Sequence, residues 1–348
     1  MKKLGESLIY GVCCDMMNLR YEQVLEFEFL AIRREIERLY SEGEIVNYHF
    51  CEKTGATDYR HNIYIQPGFS HEGGIFIGWQ HNSSKPNQLM SYDMKIELNP
   101  SKMNYLTDES HRKSEFINDI KIYKILGPIL DKKVVRIIEF DIAIDLKIKL
   151  EDLISFARQG RSMNLIHGTR YYGVKHKDMY LKIYDKAKER KEKTGFDVGT
   201  DLTRLEFSIR PANGNGLTFS GLQKYLIDID KYYSFALYPN NISDVSIKSY
   251  IHSILSGYLQ FKDFNHRQKK KIIETLENEL ITVSINEIVT KYYNDIMDPI
   301  AEWCFDSVSD VDLDGFMQRL KYNQNERYLL AISQYEAPST LKQTIVKK

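Results

Sequence analysis

Four stretches of this chain alternate apolar and polar residues with a period of two, and that alternation restricts the fold more than any other feature. Across 137–146, Phe140, Ile142 and Ile144 alternate with Asp141, Ala143 and Asp145. Across 179–186, Met179, Leu181 and Ile183 alternate with Tyr180, Lys182, Tyr184 and Lys186. Across 203–210, Leu205, Phe207 and Ile209 alternate with Arg204, Glu206, Ser208 and Arg210; across 93–99, Met94, Ile96 and Leu98 alternate with Asp93, Lys95, Glu97 and Asn99. Successive side chains of a strand point to opposite faces, so each stretch reads as a half-buried strand. If the four strands are neighbours, Glu97, Asp141, Asp145, Tyr184, Lys186 and Glu206 share the open face of one sheet. A polar face is ordinary for a solvated sheet. This one would gather a tyrosine, cations and several carboxylates.

The remaining punctuation predicts an α+β fold: a mainly antiparallel sheet with flanking helices carrying the active site, then a helical C-terminal region. An amphipathic helix is expected over 21–42, with Val24, Phe27, Ile32, Ile36 and Leu39 near helical spacing and Gly43 after it. Segments 45–52, 60–66 and 74–80 read as strands between Thr-Gly, Pro-Gly and Gly-Gly turns, and 81–87 as a polar loop. A strand over 90–98 leads to a helix at about 107–126; strand 134–146, helix 149–158 and strands around 169–186 and 202–211 come next. After Pro211-Ala-Asn-Gly-Asn-Gly the period is helical, with no further strand expected. The expected organisation is an N-terminal α/β segment over 1–89, a core over 90–211 and a helical region over 212–348.

Tyr184 sits in Leu-Lys-Ile-Tyr-Asp-Lys-Ala-Lys-Glu-Arg (181–190). Phenol, with a pKa of about 10, is a poor nucleophile at neutral pH unless cations, a metal or a base favour its phenolate. Lys182 and Lys186 lie at strand spacing on its own side, with Glu189 and Arg190 just beyond. Such equipment suits a tyrosine that cuts DNA and stays attached to it. Tyr180 is the main competitor among the 24 tyrosines, followed by Tyr171 and Tyr172.

Four strings occur in order: Arg-Ile-Ile-Glu-Phe-Asp-Ile-Ala-Ile-Asp (136–145), Tyr-Tyr-Gly-Val (171–174), Ile-Tyr-Asp-Lys-Ala-Lys-Glu-Arg (183–190) and Thr-Arg-Leu-Glu-Phe (203–207). Together they resemble the Rep_trans family, the replication initiators of small Gram-positive rolling-circle plasmids. Met-Lys-Ile-Glu-Leu-Asn-Pro (94–100) is similar to that family's upstream acidic strand. The resemblance runs from roughly 90 to 211, with an echo around 264–280. It implies site-specific nicking and joining of double- and single-stranded origin DNA through a 5′-phosphotyrosine, with Tyr184 as nucleophile and Lys186 and Glu189 assisting. It also implies a homodimer and recruitment of a host superfamily 1 helicase. The alternatives are a relaxase of a conjugative element, with the same chemistry at a transfer origin, and a non-catalytic DNA-binding replication or copy-control protein that keeps the fold.

Phosphodiester cleavage is helped by a divalent ion that neutralises a non-bridging oxygen. Glu97, Asp141 and Glu206 are the candidate ligands, with Asp145 a fourth; all-oxygen ligation suits Mg²⁺ or Mn²⁺. Asp145 is as readily explained by a salt bridge to Arg204. Glu189 could hold Lys186, accept a proton, or form an i,i+4 pair with Lys193. Candidate DNA contacts are Lys182, Arg190 and Arg204, together with His266, Arg267, Lys269, Lys270 and Lys271 at the start of a basic helical stretch. A solvated basic helix explains the latter set equally well.

The formal net charge is zero, yet its distribution permits a basic groove. Residues 175–193 hold eight Lys or Arg against four Asp or Glu, while 295–314 hold seven acids and no Lys or Arg. The 43% apolar and 28% charged composition is that of a globular protein, and no run approaches the roughly 20 apolar residues of a membrane span. The N-terminus lacks the apolar stretch and cleavage site of a signal peptide. Cys13, Cys14, Cys51 and Cys304 form no metal-binding spacing. A cytoplasmic protein with reduced thiols is expected.

Overall fold

The structure, a computed structural model, describes residues 2–3, 6–45, 47–52, 59, 61–66, 74–82, 91–100, 126–127, 129–130, 133–157, 162–175, 178–211, 214–226, 229–238, 242–279 and 281–303. In chain order its elements are β1 (Lys2–Lys3), β2 (Ile9–Glu22), α1 (Glu26–Ser41), β3 (Asn47–Glu52), β4 (His61–Gln66), β5 (Ile75–Asn82), β6 (Ser91–Leu98), β7 (Val135–Leu146), β8 (Leu153–Ala157), β9 (Met163–Ile166), β10 (Thr169–Tyr172) and β11 (Asp178–Asp185). Next come α2 (Lys186–Thr194), β12 (Thr203–Arg210), α3 (Phe219–Leu226), α4 (Ile229–Tyr232), β13 (Tyr233–Leu237), α5 (Val245–Leu255), α6 (His266–Glu279), β14 (Ile281–Val283), α7 (Ile285–Lys291) and α8 (Tyr293–Trp303). The fold is α+β, with a large antiparallel sheet, flanking helices and a helical stretch toward the C-terminus. Most of the helix expected over 107–126, most of the loop over 81–87 and everything past Trp303 lie outside the described residues.

The chain forms two compact units. One holds the residues up to Asn18 with Arg136–Ile300; the other holds Leu19–Val135 and the chain from Ala301 on. By this division β6 belongs to the second unit and β7 through β12 essentially to the first.

In the second unit β3, β4, β5 and β6 pair antiparallel in sequence order. Helix α1 buries Phe29, Ile32, Ile36 and Leu39. Phe29 stacks on Trp79 with centroids 5.4 Å apart, and the indole N–H of Trp79 donates to the Val24 carbonyl at 2.8 Å. The helix is shorter than its apolar pattern suggests. Residues up to Glu22 are strand, Val24 is buried in the connection, and Phe27 is exposed.

In the first unit a sheet runs in the order β2-β7-β12-β11-β10-β9. Its registers set Ile144 opposite Leu205 opposite Ile183, and Ile142 opposite Phe207 opposite Leu181. These residues are fully buried on one face. A smaller sheet, β1-β14-β13-β8, supplies partners for that face: Tyr233 donates its hydroxyl to the Met179 carbonyl, and the Tyr172 hydroxyl bonds Ser155. Arg170 donates to the carbonyls of Leu153 and Leu150. On the small sheet, Ile154, Phe156 and Ala236 pack with Ile247, Ile251, Ile254 and Ile272 of α5 and α6.

Two expectations fail here. The helix expected over 149–158 is a single 3-10 turn, Leu150–Asp152, followed by β8. Leu-Ile-Ser-Phe-Ala is buried throughout and pairs with β13, so a short apolar run that periodicity cannot assign becomes a strand. The C-terminal region likewise contains two strands, β13 and β14, each five residues or fewer.

Candidate functional site

The site is built on the polar face of β7, β12 and β11. Alternation places Asp141, Ala143 and Asp145 of β7 on the same face as Ser208, Glu206 and Arg204 of β12 and Tyr180, Lys182 and Tyr184 of β11. The register sets Asp145 opposite Arg204 opposite Tyr184, Ala143 opposite Glu206 opposite Lys182, and Asp141 opposite Ser208 opposite Tyr180. Asp141, Asp145, Glu206 and Tyr184 are therefore brought together on one face.

Glu97 lies on β6 in the other unit, where its carboxylate takes the Lys95 ammonium at 2.7 Å. Lys186 does not continue the strand. Asp185 caps α2, accepting from the Lys188 N–H at 2.8 Å, so Lys186 is the first helical residue. Its Nζ rests 5.8 Å from the Tyr184 ring centroid and 2.5 Å from a Glu189 oxygen. Glu189 takes Lys193 on its other oxygen, also at 2.5 Å. Burial works against ionisation of Glu189, but the two lysines outweigh it and hold its pKa below the ordinary value. Gly195, at φ +71°, closes the helix in the left-handed conformation. Arg190 lies over Phe196, 5.3 Å from the ring centroid.

The face expected to be open is buried at its carboxylates and its arginine. Asp141 is 7% exposed, Glu206 6% and Arg204 8%. Arg204, Asp145 and Glu206 are each paired with a residue of a neighbouring strand. Arg204 grips Asp145 through Nε at 2.6 Å and Nη2 at 2.7 Å, and reaches Asp15 of β2 at 3.2 Å. Those hydrogen bonds commit Arg204 and Asp145 to each other, the salt-bridge reading of that pair. Glu206 accepts from Lys182 on one oxygen and from the Tyr184 hydroxyl, at 3.2 Å, on the other.

Asp141 differs from its neighbours. Its Oδ1 is buried without a hydrogen-bond partner. Burial, with the nearby Glu206 charge and against a Ser208 hydrogen bond, pushes its pKa up to about 8. An unpaired buried carboxylate oxygen is costly and asks for a proton or a cation. Asp141 has the Glu206 carboxylate as an acidic neighbour, both of whose oxygens are already engaged by Lys182 and Tyr184. Among the described residues no cluster of three or more His, Cys, Asp or Glu could enclose a metal.

Tyr184 is also pushed away from reactivity. Burial first, and then the Glu206 carboxylate, raise its pKa, while Arg204 opposes the shift. The phenol is thus a hydrogen-bond donor in this state. Of its rivals, Tyr172 is buried between the sheets with its hydroxyl on Ser155. Tyr171 and Tyr180 remain half-exposed on the polar face, their rings stacked 6.1 Å apart.

In α6, His266, Arg267, Lys270 and Lys271 are exposed and Lys269 is half-buried. Lys271 pairs with Asp244, Lys270 with Glu274 at 3.7 Å, and Lys269 donates to the Lys262 carbonyl. Two residues of the site went unread in the sequence. Asp15 was hidden because β2 breaks its alternation with a buried Asp beside Met16-Met17. Ser208 was legible in principle, two residues beyond Glu206 on the same face.

No helix among the described residues is long and apolar enough to cross a membrane. No family model matches the chain, and no curated protein matches it. Among solved structures, a rolling circle replication initiator protein from Geobacillus stearothermophilus is similar over 72% of this chain and 97% of its own, at 13% identity and a TM-score of 0.33. That likeness is distant and concerns the fold alone.

Proposed function

We propose that this chain is a rolling-circle replication initiator that nicks and rejoins one strand of origin DNA through Tyr184. The observation carrying the reading is the hydrogen bond from the Tyr184 hydroxyl to Glu206, beside the unpaired oxygen of Asp141. The ordered motifs of 136–207 support it. Tyr184 Oη attacks the scissile phosphorus and its proton passes to Glu206, the group already accepting it. The P–O3′ bond breaks, and the proton held by Glu206 returns through solvent to the departing 3′-oxygen, leaving a 5′-phosphotyrosine and a free 3′-OH from which synthesis can start. The phosphodiester energy is kept in the new bond, so rejoining by the 3′-OH needs no ATP.

Lys182, the ammonium nearest Glu206, and Lys186, beside the Tyr184 ring, neutralise charge gathering on phosphorus. Asp141, with Glu206, would hold a Mg²⁺ or Mn²⁺ ion, which would supply positive charge to offset that of the phosphate. Arg204 and Asp145 fix β12 against β7 and keep Glu206 in place. A homodimer and a host superfamily 1 helicase complete the reading as partners.

The test is incubation with supercoiled DNA carrying this gene and its flanking sequence, with Mn²⁺, then denaturing electrophoresis. Open-circular DNA with a protease-sensitive adduct supports the reading. Specific binding of that DNA without any adduct would favour a non-catalytic copy-control protein, for which the protonated Tyr184 would be simply structural.

A further inference from the structure

Two half-exposed tyrosines on the same polar face as Tyr184 have no part in the chemistry proposed above. Tyr180 is four residues before Tyr184 on β11, and Tyr171 faces Lys182 across the β10–β11 register. Their rings are 24° from parallel with centroids 6.1 Å apart. Near-parallel rings at that separation do not cover each other fully, so each offers π surface to a third ring. Neither hydroxyl donates or accepts in a described hydrogen bond to another side chain that would fix its role as polar.

We propose that Tyr171 and Tyr180 form a stacking platform for a base of single-stranded DNA flanking the scissile phosphate. The inference rests on the nicking reading for the course of the strand. Side chains two apart on a strand lie about 7 Å apart, so Tyr180 is about 13 Å along β11 from Tyr184. That span suits a base one or two nucleotides from the phosphate attacked by Tyr184. Lys182 lies between the two positions and is 30% exposed, where it can meet the intervening backbone. Stacking is tolerant of base identity, so the platform would hold the melted strand in place rather than read its sequence. Duplex DNA, whose bases are already stacked on one another, has no base to offer it.

The cross-strand pair could instead serve only the sheet, as aromatic pairs do. The experiment separates these roles in a Tyr184→Phe background, where no adduct forms. Affinity for a fluorescein-labelled twelve-residue thymidine oligonucleotide is measured for that protein, for added Tyr171→Leu/Tyr180→Leu, and for added Tyr171→Phe/Tyr180→Phe. The leucine pair should lose roughly tenfold or more in affinity without changing the salt slope, and the phenylalanine pair should stay within about twofold. Unchanged binding by a folded leucine pair, or equal loss in both pairs, overturns the platform.

Photo-crosslinking of the same protein to an oligonucleotide carrying 5-iodouridine needs no change at either tyrosine. Adducts on Tyr171 or Tyr180 support the proposal, and adducts found only elsewhere overturn it. If Tyr184 forms its covalent link while stacking fails, the platform alone is wrong. If stacking holds and no link forms in the unmodified protein, the chemistry alone is wrong.

Discussion

Replacing Asp141 with Asn should make the ion-free protein more stable at neutral pH, and the gain should vanish in acid. In the fold, burial raises the pKa of this carboxyl to about 8 from an ordinary 3.8. Between those values the folded chain holds a proton that the unfolded chain has released. Unfolding is then increasingly favoured as pH rises, by about 1.4 kcal/mol per pH unit from this group. Below pH 4 both states are protonated and the penalty is absent; above 8 both are ionised and it is complete. The full window corresponds to on the order of 5 kcal/mol, of which local relaxation and entering water should remove about half. Asparagine keeps the shape, keeps an acceptor for Ser208 and never ionises. At pH 7.5 the variant should melt roughly 5–10 °C above the parent in chelator, converging with it near pH 4. Thermal unfolding of both proteins across pH 4–9 measures this, and the comparison cancels the other titrating groups. A gap that stays constant with pH, or a parent more stable than the variant at pH 8, would refute the burial argument. Adding Mn²⁺ should narrow the gap by stabilising the parent alone.

The same geometry sets other outcomes. Arg204→Met leaves Asp145 buried without its cation and should cost about 3–5 kcal/mol in thermal or urea unfolding; a loss under about 1 kcal/mol would mean that this carboxylate is solvated or paired elsewhere. Tyr184→Phe removes one hydrogen bond to Glu206, worth about 1 kcal/mol, so it should fold and bind origin DNA while forming no adduct. Tyr180→Phe should still form one. Lys186→Ala should slow cleavage of bound DNA more than it weakens binding; equal losses would make Lys186 a plain phosphate contact. Replacing Arg267, Lys269, Lys270 and Lys271 together with Ala should lower duplex-origin affinity and flatten its salt dependence, yet spare cleavage of a short single-stranded substrate. Unchanged duplex affinity would discard α6 as the reader.

The part of the fold that was legible is the part where one physical rule dominates. Along their alternating stretches β7, β11 and β12 each carry their large apolar residues on one face only, so alternation marked both their existence and the side on which Asp141, Glu206 and Tyr184 would meet. β2 and β8 bury residues on both sides, and a run such as Leu-Ile-Ser-Phe-Ala has no period to read. Lys186 was misplaced because strand spacing was carried one residue too far. The sign was present: Asp185 before Lys-Ala-Lys-Glu-Arg is a capping residue before good helix formers. The pairing on the polar face was not legible, because it runs across strands, through Arg204 with Asp145 and Asp15, and Lys182 with Glu206. Burial, and after it the Glu206 charge, raises the Tyr184 pKa, where spacing alone suggested cations free to lower it.

The central claim is that one tyrosine, Tyr184, becomes joined to the 5′-phosphate of nicked DNA. The direct measurement is to trap the complex on a single-stranded substrate with Mn²⁺, digest protein and DNA, and identify the nucleotide-bearing peptide by mass spectrometry. The account predicts a phosphonucleotide on the peptide containing Tyr184 and on no other tyrosine. A nucleotide on Tyr180 or Tyr171, or cleavage that leaves every tyrosine unmodified, would contradict it.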